Sequence, residues 1–335
     1  MSIEVNNVHK MYRTRVKAEG LSASLRALWN PEYKDVCAVH DISFRVEPGE
    51  IVAFIGPNGA GKSTMIKMLT GILHATSGSL SVLGMDPAKQ REQLAFQIGT
   101  VFGQRSQLWM HLPPADSYAL LASIYELDSQ VYRLRLAELA ELFELEELLN
   151  VPVRKLSLGQ RIRCEVAASL LHRPKVIFLD EPTIGLDVIV KQKIRDLIVR
   201  LNREEGTTIF LTSHDAGDIE QLCKRALVIN SGQLVIDDDV AAIKQSFFNR
   251  KIIDITYQQE FTFALPEGVS LLSSEGRRAQ LVVDTRLCEV GTFLAQLVSS
   301  GAISDVTIND PPMEEIIAAI FQQKERLGDG HVAKV

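Results

Sequence analysis

No run in these 335 residues approaches the ~18 consecutive apolar side chains that a bilayer-spanning helix requires. The chain is therefore expected to be soluble, with any membrane role passing through partners. Its first ten residues, MSIEVNNVHK, contain no apolar stretch of the kind a secretory signal carries. Cysteine is scarce and scattered. Cys37, Cys164, Cys223 and Cys288 include no C-x-x-C pair, which argues against zinc or a disulfide framework and leaves reduced thiols as the default. Basic charge is in deficit: 36 Lys and Arg against 42 Asp and Glu give a net charge of −6, so no nucleic-acid footprint is present and no nucleic-acid partner is expected. Internal repeats and low-complexity tracts are also missing. What remains is a chain 46% apolar, enough for one large domain and a small one.

Residues 2–12 and 42–47 read as strands, with Ile42, Phe44 and Val46 alternating. Pro48-Gly49 is a turn. Residues 51–55 form a short continuous apolar run, the pattern of a fully buried parallel strand. A glycine-rich loop and a helix near residues 62–73 follow. Residues 99–102 end another strand, and residues 114–149 read as helical. Two more buried strands, 176–179 and 208–211, flank a helix over 188–203. This alternation predicts an α/β core with a mostly parallel sheet, interrupted by a helical insertion over about 105–165. Near 240–250 the pattern changes. Strands at 251–257, 269–273, 279–284 and 303–308, with helices at 287–299 and 312–323, predict a small α+β domain from 245 to 335, its tail frayed.

Gly56, Pro57, Asn58, Gly59, Ala60, Gly61, Lys62, Ser63 and Thr64 fit G-x-x-x-x-G-K-[ST] between a predicted strand and a predicted helix. Glycines let the backbone wrap a phosphate, and the loop N–H groups and helix N-terminus face the anion. Lys62 is expected to reach the β- and γ-phosphates, and the Ser63 hydroxyl to ligate Mg2+. The strand at 176–179 delivers Asp180 and Glu181 at its C-terminal end, where ligands sit in open α/β sheets. Asp180 suits Mg2+, through water. Glu181 suits a general base for an attacking water. Shortly before that strand lies the hexapeptide LSLGQR, residues 156–161, a turn opening a helix.

With these motifs in order, the chain resembles an ABC-type ATPase subunit over about residues 1–240. Gln104 in a strand-exit loop, the turn with Ser157, Gly159 and Gln160, the pair Asp180-Glu181, the loop Gly185-Leu186-Asp187 and the histidine of Thr212-Ser213-His214-Asp215 carry the resemblance. It implies a RecA-like P-loop core with an N-terminal antiparallel β subdomain, and ATP sandwiched between two subunits. The Ser157 hydroxyl and the Gly159 N–H of one would face the γ-phosphate held by the other. His214 becomes a donor to that phosphate, Asp187 a link across the interface, and Gln104 a metal sensor, with Gln107 as its alternative. Tyr33, 23 residues before Gly56, stands at the family position for stacking on adenine. Two departures stand out. Leu158 occupies a place where glycine is usual, and Gly103 lengthens the loop before Gln104 by one residue.

An insertion over 13–35 carries Leu21, Leu25, Leu28 and Trp29 at spacings of four and three, with Arg13, Arg15, Lys17 and Arg26 nearby. It could dock a permease or graze the membrane surface, but the stripe is short, and packing back onto its own domain is the preferred reading. The insertion, with GQRSQLW and EPTIGLD, resembles ATPases of ABC-2-type exporters, daunorubicin-resistance-like systems among them. The resemblance implies ATP and Mg2+ as cofactors, a second ATPase subunit (a homodimer) and two integral-membrane permease subunits as partners, and a cytoplasmic, membrane-peripheral location. Two other readings stay open: a non-transport ATPase of this class acting on ribosome or DNA, and a weakly hydrolysing ATP-gated module.

Overall fold

The computed structural model describes residues 1–15, 33–102, 106–213, 215–246, 250–257, 265–299, 303–311, 313, 315–317 and 320. The chain divides into two compact units, Met1–Asp238 and Asp239–Val335.

In the first unit, the alternating apolar residues of β1 (Ile3–Arg15) and β2 (Tyr33–Val46) pair antiparallel, with Ile3 opposite Val46 and Val5 opposite Phe44. β2 thus begins nine residues before the predicted strand at 42. Its first half is mostly exposed and carries no burial pattern; pairing with β1 extends it. β3 (Ile51–Ile55) is followed by α1 (Lys62–Leu69), and the third strand of the first sheet is β4 (Ser77–Val82), on the other side of β1. Then come α2 (Arg91–Ala95) and β5 (Ile98–Phe102).

The predicted helix over 114–149 is two helices, α3 (Pro114–Ile124) and α4 (Ser129–Phe143). Asp128 starts the second by accepting from the N–H groups of Gln130 and Val131, and Glu126 and Glu144 take left-handed conformations at the ends (φ 53° and 52°). After α5 (Leu158–Ser169) come β6 (Val176–Asp180), α6 (Val188–Glu205), β7 (Thr208–Thr212), α7 (Ala216–Leu222), β8 (Arg225–Asn230) and β9 (Gln233–Asp239).

The main sheet runs β5-β6-β7-β3-β8-β9, and every pair from β5 to β8 is parallel. All the βα loops of these strands therefore open at one edge, where the order turns back on itself. Phe54 and Phe210 meet Phe44 of the antiparallel sheet, and Phe178 of a third strand packs on Phe210, with ring centroids 5.3–6.0 Å apart. This fully or nearly fully buried cluster joins the two sheets.

The second unit has α8 (Val240–Ser246), β10 (Arg250–Tyr257), β11 (Val269–Glu275), β12 (Arg278–Asp284), α9 (Val290–Ser299) and β13 (Ile303–Asn309). Its antiparallel sheet, in the order β11-β12-β10-β13, buries Ile253, Ile255, Leu281 and Val283 with Phe293 and Leu297 of α9. A polar row crosses all four strands: Ser273 to Gln280, and Gln280 and Asn309 to Asp254. Among the described residues no helix is long and apolar enough to cross a membrane.

Candidate functional site

The glycine-rich loop leaves β3 at the open edge of the parallel sheet. Gly61, the residue before α1, has φ 107°, and a Cβ there would lie 2.5 Å from the Ala38 carbonyl oxygen. A Cβ on Gly56 would lie 2.5 Å from the Ile229 carbonyl oxygen. Glycine is required at both places, by conformation at one and by backbone approach at the other. Lys62 folds back across this loop, its ammonium donating to Gly56 O at 2.7 Å and Pro57 O at 3.2 Å. Burial lowers its pKa, and the charges of Glu181 and Asp180 oppose that shift.

β6 ends in Asp180. One of its oxygens accepts from the Thr212 hydroxyl at 2.6 Å, and the other from the Ser63 hydroxyl at 3.3 Å. The structure thus brings together the two sequence-predicted Mg2+ groups, Ser63 and Asp180, and adds Thr212 from the neighbouring strand to orient the carboxylate. Glu181 follows in a left-handed conformation (φ 54°), with its N–H on both the carbonyl and the hydroxyl of Thr212, each at 3.1 Å. For a residue with a Cβ this conformation costs roughly 1–2 kcal/mol, and it turns the chain out of the strand. Pro57, Asn58, Gly59, Gly61, Lys62, Ser63, Thr64, Asp180 and Glu181 all line one cleft of about 500 Å3. Ala38, Lys67, Ile72, Phe102 and Ile184 complete it.

Ser157, Gly159, Gln160 and Asp187 do not line that cleft. They form a second surface. Ser157 Oγ accepts from the Gln160 N–H, and the Gln160 side chain accepts from the Ser157 N–H, closing a capping box on α5. The box satisfies two of the N-terminal N–H groups. Those of Leu158 and Gly159 make no hydrogen bond among the described residues, and the Ser157 hydroxyl, an acceptor in the box, keeps its proton to donate. A Cβ on Gly159 would lie 2.6 Å from Val190 Cγ1, and one on Gly185 3.2 Å from Leu158 Cδ2. Leu158, the departure from the usual glycine, therefore packs on the loop that leads to Asp187. Asp187 itself caps α6 through the Val190 N–H at 3.0 Å. Beside it Val188 and Ile189 are 80% and 74% exposed.

Gln104, His214 and the apolar stripe Leu21, Leu25, Leu28 and Trp29 lie outside the described residues. Gln107 is engaged elsewhere. Its amide donates to Glu165 O at 2.8 Å, and its N–H to the Glu165 carboxylate at 3.1 Å, alongside the Ser106 hydroxyl. Tyr33 is half-exposed under the Arg13 guanidinium, 4.6 Å from the ring centroid. It stands five residues along β2 from the cleft residue Ala38, roughly 16 Å at ~3.3 Å per residue. Tyr12 lies opposite Val36, only two residues from Ala38. Sequence reading missed Tyr12 and Thr212. The one signal for them was their place, near the end of the predicted first strand and directly before the Ser213-His214 pair.

A parallel sheet whose strand ends gather a glycine loop, a lysine and two consecutive carboxylates defines a nucleoside-triphosphate hydrolase of the P-loop kind. The ABC transporter family model matches residues 39–184, from β2 through both carboxylates. The chain is 31% identical over 237 residues to the ABC transporter ATP-binding protein NatA of Bacillus subtilis, covering 71% of this chain and 94% of that protein. It is 34% identical over 227 residues to the Nod factor export ATP-binding protein I of Burkholderia thailandensis, covering 67% of this chain and 73% of that one. A solved dimeric ATP-binding cassette, in a post-hydrolysis state bound to ADP and Pi, aligns with a TM-score of 0.60 at 26% identity over 71% of this chain and 98% of that one. The chain belongs to the ATP-binding subunits of ABC transporters, which bind ATP with Mg2+ and hydrolyse it to power transmembrane transport. Cassettes of this family dimerise and work with membrane permease subunits.

Proposed function

We propose that two copies of this chain drive export through a pair of integral-membrane permeases, from the cytoplasmic face of the membrane. Each copy holds the phosphates of one ATP on residues 56–64 and presents Ser157 and Gly159 to the ATP of the other. The observation that carries this reading is the split between the two surfaces. Lys62, Ser63, Asp180 and Glu181 converge in one cleft, while beside the capping box the N–H groups of Leu158 and Gly159 find no acceptor among the described residues and the Ser157 hydroxyl, an acceptor in the box, keeps its proton to donate. Helix-end donors of this kind suit an anion.

In this reading the Ser63 hydroxyl, and Asp180 through water, would hold Mg2+, which would neutralise charge on the phosphates. Lys62 leaves the loop carbonyls for the phosphates. Glu181 orients and deprotonates the attacking water. His214 and Gln104 act on the γ-phosphate and the metal, and Asp187 links the two sites. Adenine stacks on Tyr12, in preference to Tyr33, because Tyr12 lies nearer the cleft in register. A relative named for export, the Nod factor protein, favours the outward direction. Residues 245–335 carry no nucleotide motif and serve regulation or dimer support.

Glu181→Gln tests the site. It should bind ATP, accumulate as an ATP-dependent dimer in sedimentation, and lose at least about 100-fold in turnover, as general-base loss does. Normal hydrolysis by this variant would remove Glu181 from its role.

A further inference from the structure

Behind the cleft lies a second set of side chains that binds nothing in the reading above. Asp218 of α7 is fully buried. One of its oxygens accepts from the Thr183 hydroxyl at 2.5 Å and from the Ser213 hydroxyl at 2.7 Å. The other accepts from Arg195 Nε at 2.7 Å. The same guanidinium reaches Asp215 with Nη2 at 2.9 Å, and the second Asp215 oxygen takes the Lys191 ammonium. Burial alone would raise the Asp215 pKa, but Lys191 and Arg195 hold it below the usual carboxylate range. Two acids and two bases make the group neutral, and every oxygen of Asp218 is used, which is the condition for keeping charge inside a fold.

The partners of Asp218 decide what this group does. Thr183 is two residues after Glu181. Ser213 immediately precedes His214, and its hydroxyl also accepts from the Asp215 N–H at 2.9 Å. Arg195 lies two turns into α6, the helix that Asp187 caps. One carboxylate thus ties together the loop that carries the general base, the loop that carries the histidine and the helix behind the subunit-facing Asp187. A carboxylate can hold three donors at once only where its geometry is fixed, so a shift in any one of the three segments is felt by the other two.

We propose that Asp218 is a positioning residue for hydrolysis: it sets the Glu181 and His214 loops against α6, so that both groups meet the same nucleotide. This rests on the roles proposed above for Glu181 and His214. Asp218 touches no substrate; its effect passes through Thr183 and Ser213.

The test uses the full-length chain and near-isosteric changes at the two hydroxyls. Thr183→Val should lower kcat about 10-fold or more and leave the KM for MgATP within about two-fold, because the misplaced group is needed in the transition state and not for binding. Thr183→Ser, which keeps the hydroxyl, should return kcat to within about two-fold of the parent. Ser213→Ala should act like Thr183→Val, and the two together should lose less than the product of the single losses, since both work through one carboxylate. Ser213→Ala also gives the reading should Thr183→Val fail to fold. Unchanged kcat in Thr183→Val, a Thr183→Ser as impaired as the valine, a KM that rises in step with the loss, or strictly multiplicative losses would each overturn the proposal. Glu181→Gln is run beside them. If it is inactive while Thr183→Val is normal, only this inference fails; if Glu181→Gln itself turns over, the reading of the site fails first.

Discussion

Replacing Gly159 with alanine puts a methyl carbon 2.6 Å from Val190 Cγ1. Carbon atoms settle at about 3.5–4.0 Å, so the overlap is about 1 Å. Valine in a helix is held to one side-chain rotamer about 90% of the time, and Val190 sits in the first turn of α6, whose N–H is already bonded to Asp187. The side chain cannot swing clear. The first turn of α5 must move instead, and overpacking of this kind costs about 1–3 kcal/mol. The function loses more than the stability. The displaced turn carries Ser157 and the Leu158 and Gly159 N–H groups, and an error of about 1 Å in a positioning group can cost ~100-fold in rate. Gly159→Ala should therefore melt a few degrees lower, and lose 10- to 100-fold in ATP turnover. In a Glu181→Gln background its ATP-dependent association, read by sedimentation velocity, should weaken correspondingly. Val190→Ala removes the obstructing methyls, and the double variant Gly159→Ala, Val190→Ala should regain most of both losses. Wild-type turnover in Gly159→Ala would refute the argument. So would a double variant no better than the product of its parents, because the damage would then not come from the clash with Val190.

Two further outcomes follow from the described geometry. Tyr12→Ala should raise the KM for ATP about 5- to 150-fold with kcat little changed, as loss of one base–aromatic stack worth ~1–3 kcal/mol requires, while Tyr33→Ala should leave KM within about two-fold; the reverse pattern would return the adenine to Tyr33. Glu165 offers a pH test. Burial raises its carboxyl pKa above the ordinary 4.5, despite the donors from Ser106 and Gln107. An acid raised in the fold makes the folded state the better proton binder, so its stabilising contribution is fully present below that ordinary value and is lost as pH rises through the raised one. Glu165→Gln should flatten the fall in melting temperature over that acid range; an unchanged profile would remove Glu165 as its source.

The parallel core and the phosphate loop were legible in the sequence because both are written locally: four- to five-residue apolar runs, and a glycine spacing followed by lysine and a hydroxyl. The Asp180-Glu181 pair was legible because it ends such a run. Less of the rest is local. The first half of β2 is exposed, and its strand character comes from β1 across the ladder, so residues 33–35 read as part of the 13–35 insertion and 36–41 as no strand. The helix over 114–149 breaks at Asp128, a capping residue that the apolar spacing masked. Thr212 and Asp218 take their roles from side-chain contacts that reach 32 and 35 residues along the chain, and Tyr12 from its register on a neighbouring strand; no periodicity reports those. Leu158 was legible as a departure, but its seat against Gly185 was not.

The capping box on α5 has a consequence for mass action. By closing two helix-end groups within the chain, it makes the turn at Ser157–Gln160 a surface that needs no ligand to keep its shape. On the proposed site, a lone subunit would load nucleotide through its own residues 56–64 and would lack the Ser157 and Gly159 that complete the other side of that nucleotide. On the proposed two-subunit site, turnover of the free protein is second order in its own concentration. Fixing two copies side by side on a membrane partner would make it first order, so the partner would speed hydrolysis by raising the local concentration alone, without supplying any group to the chemistry.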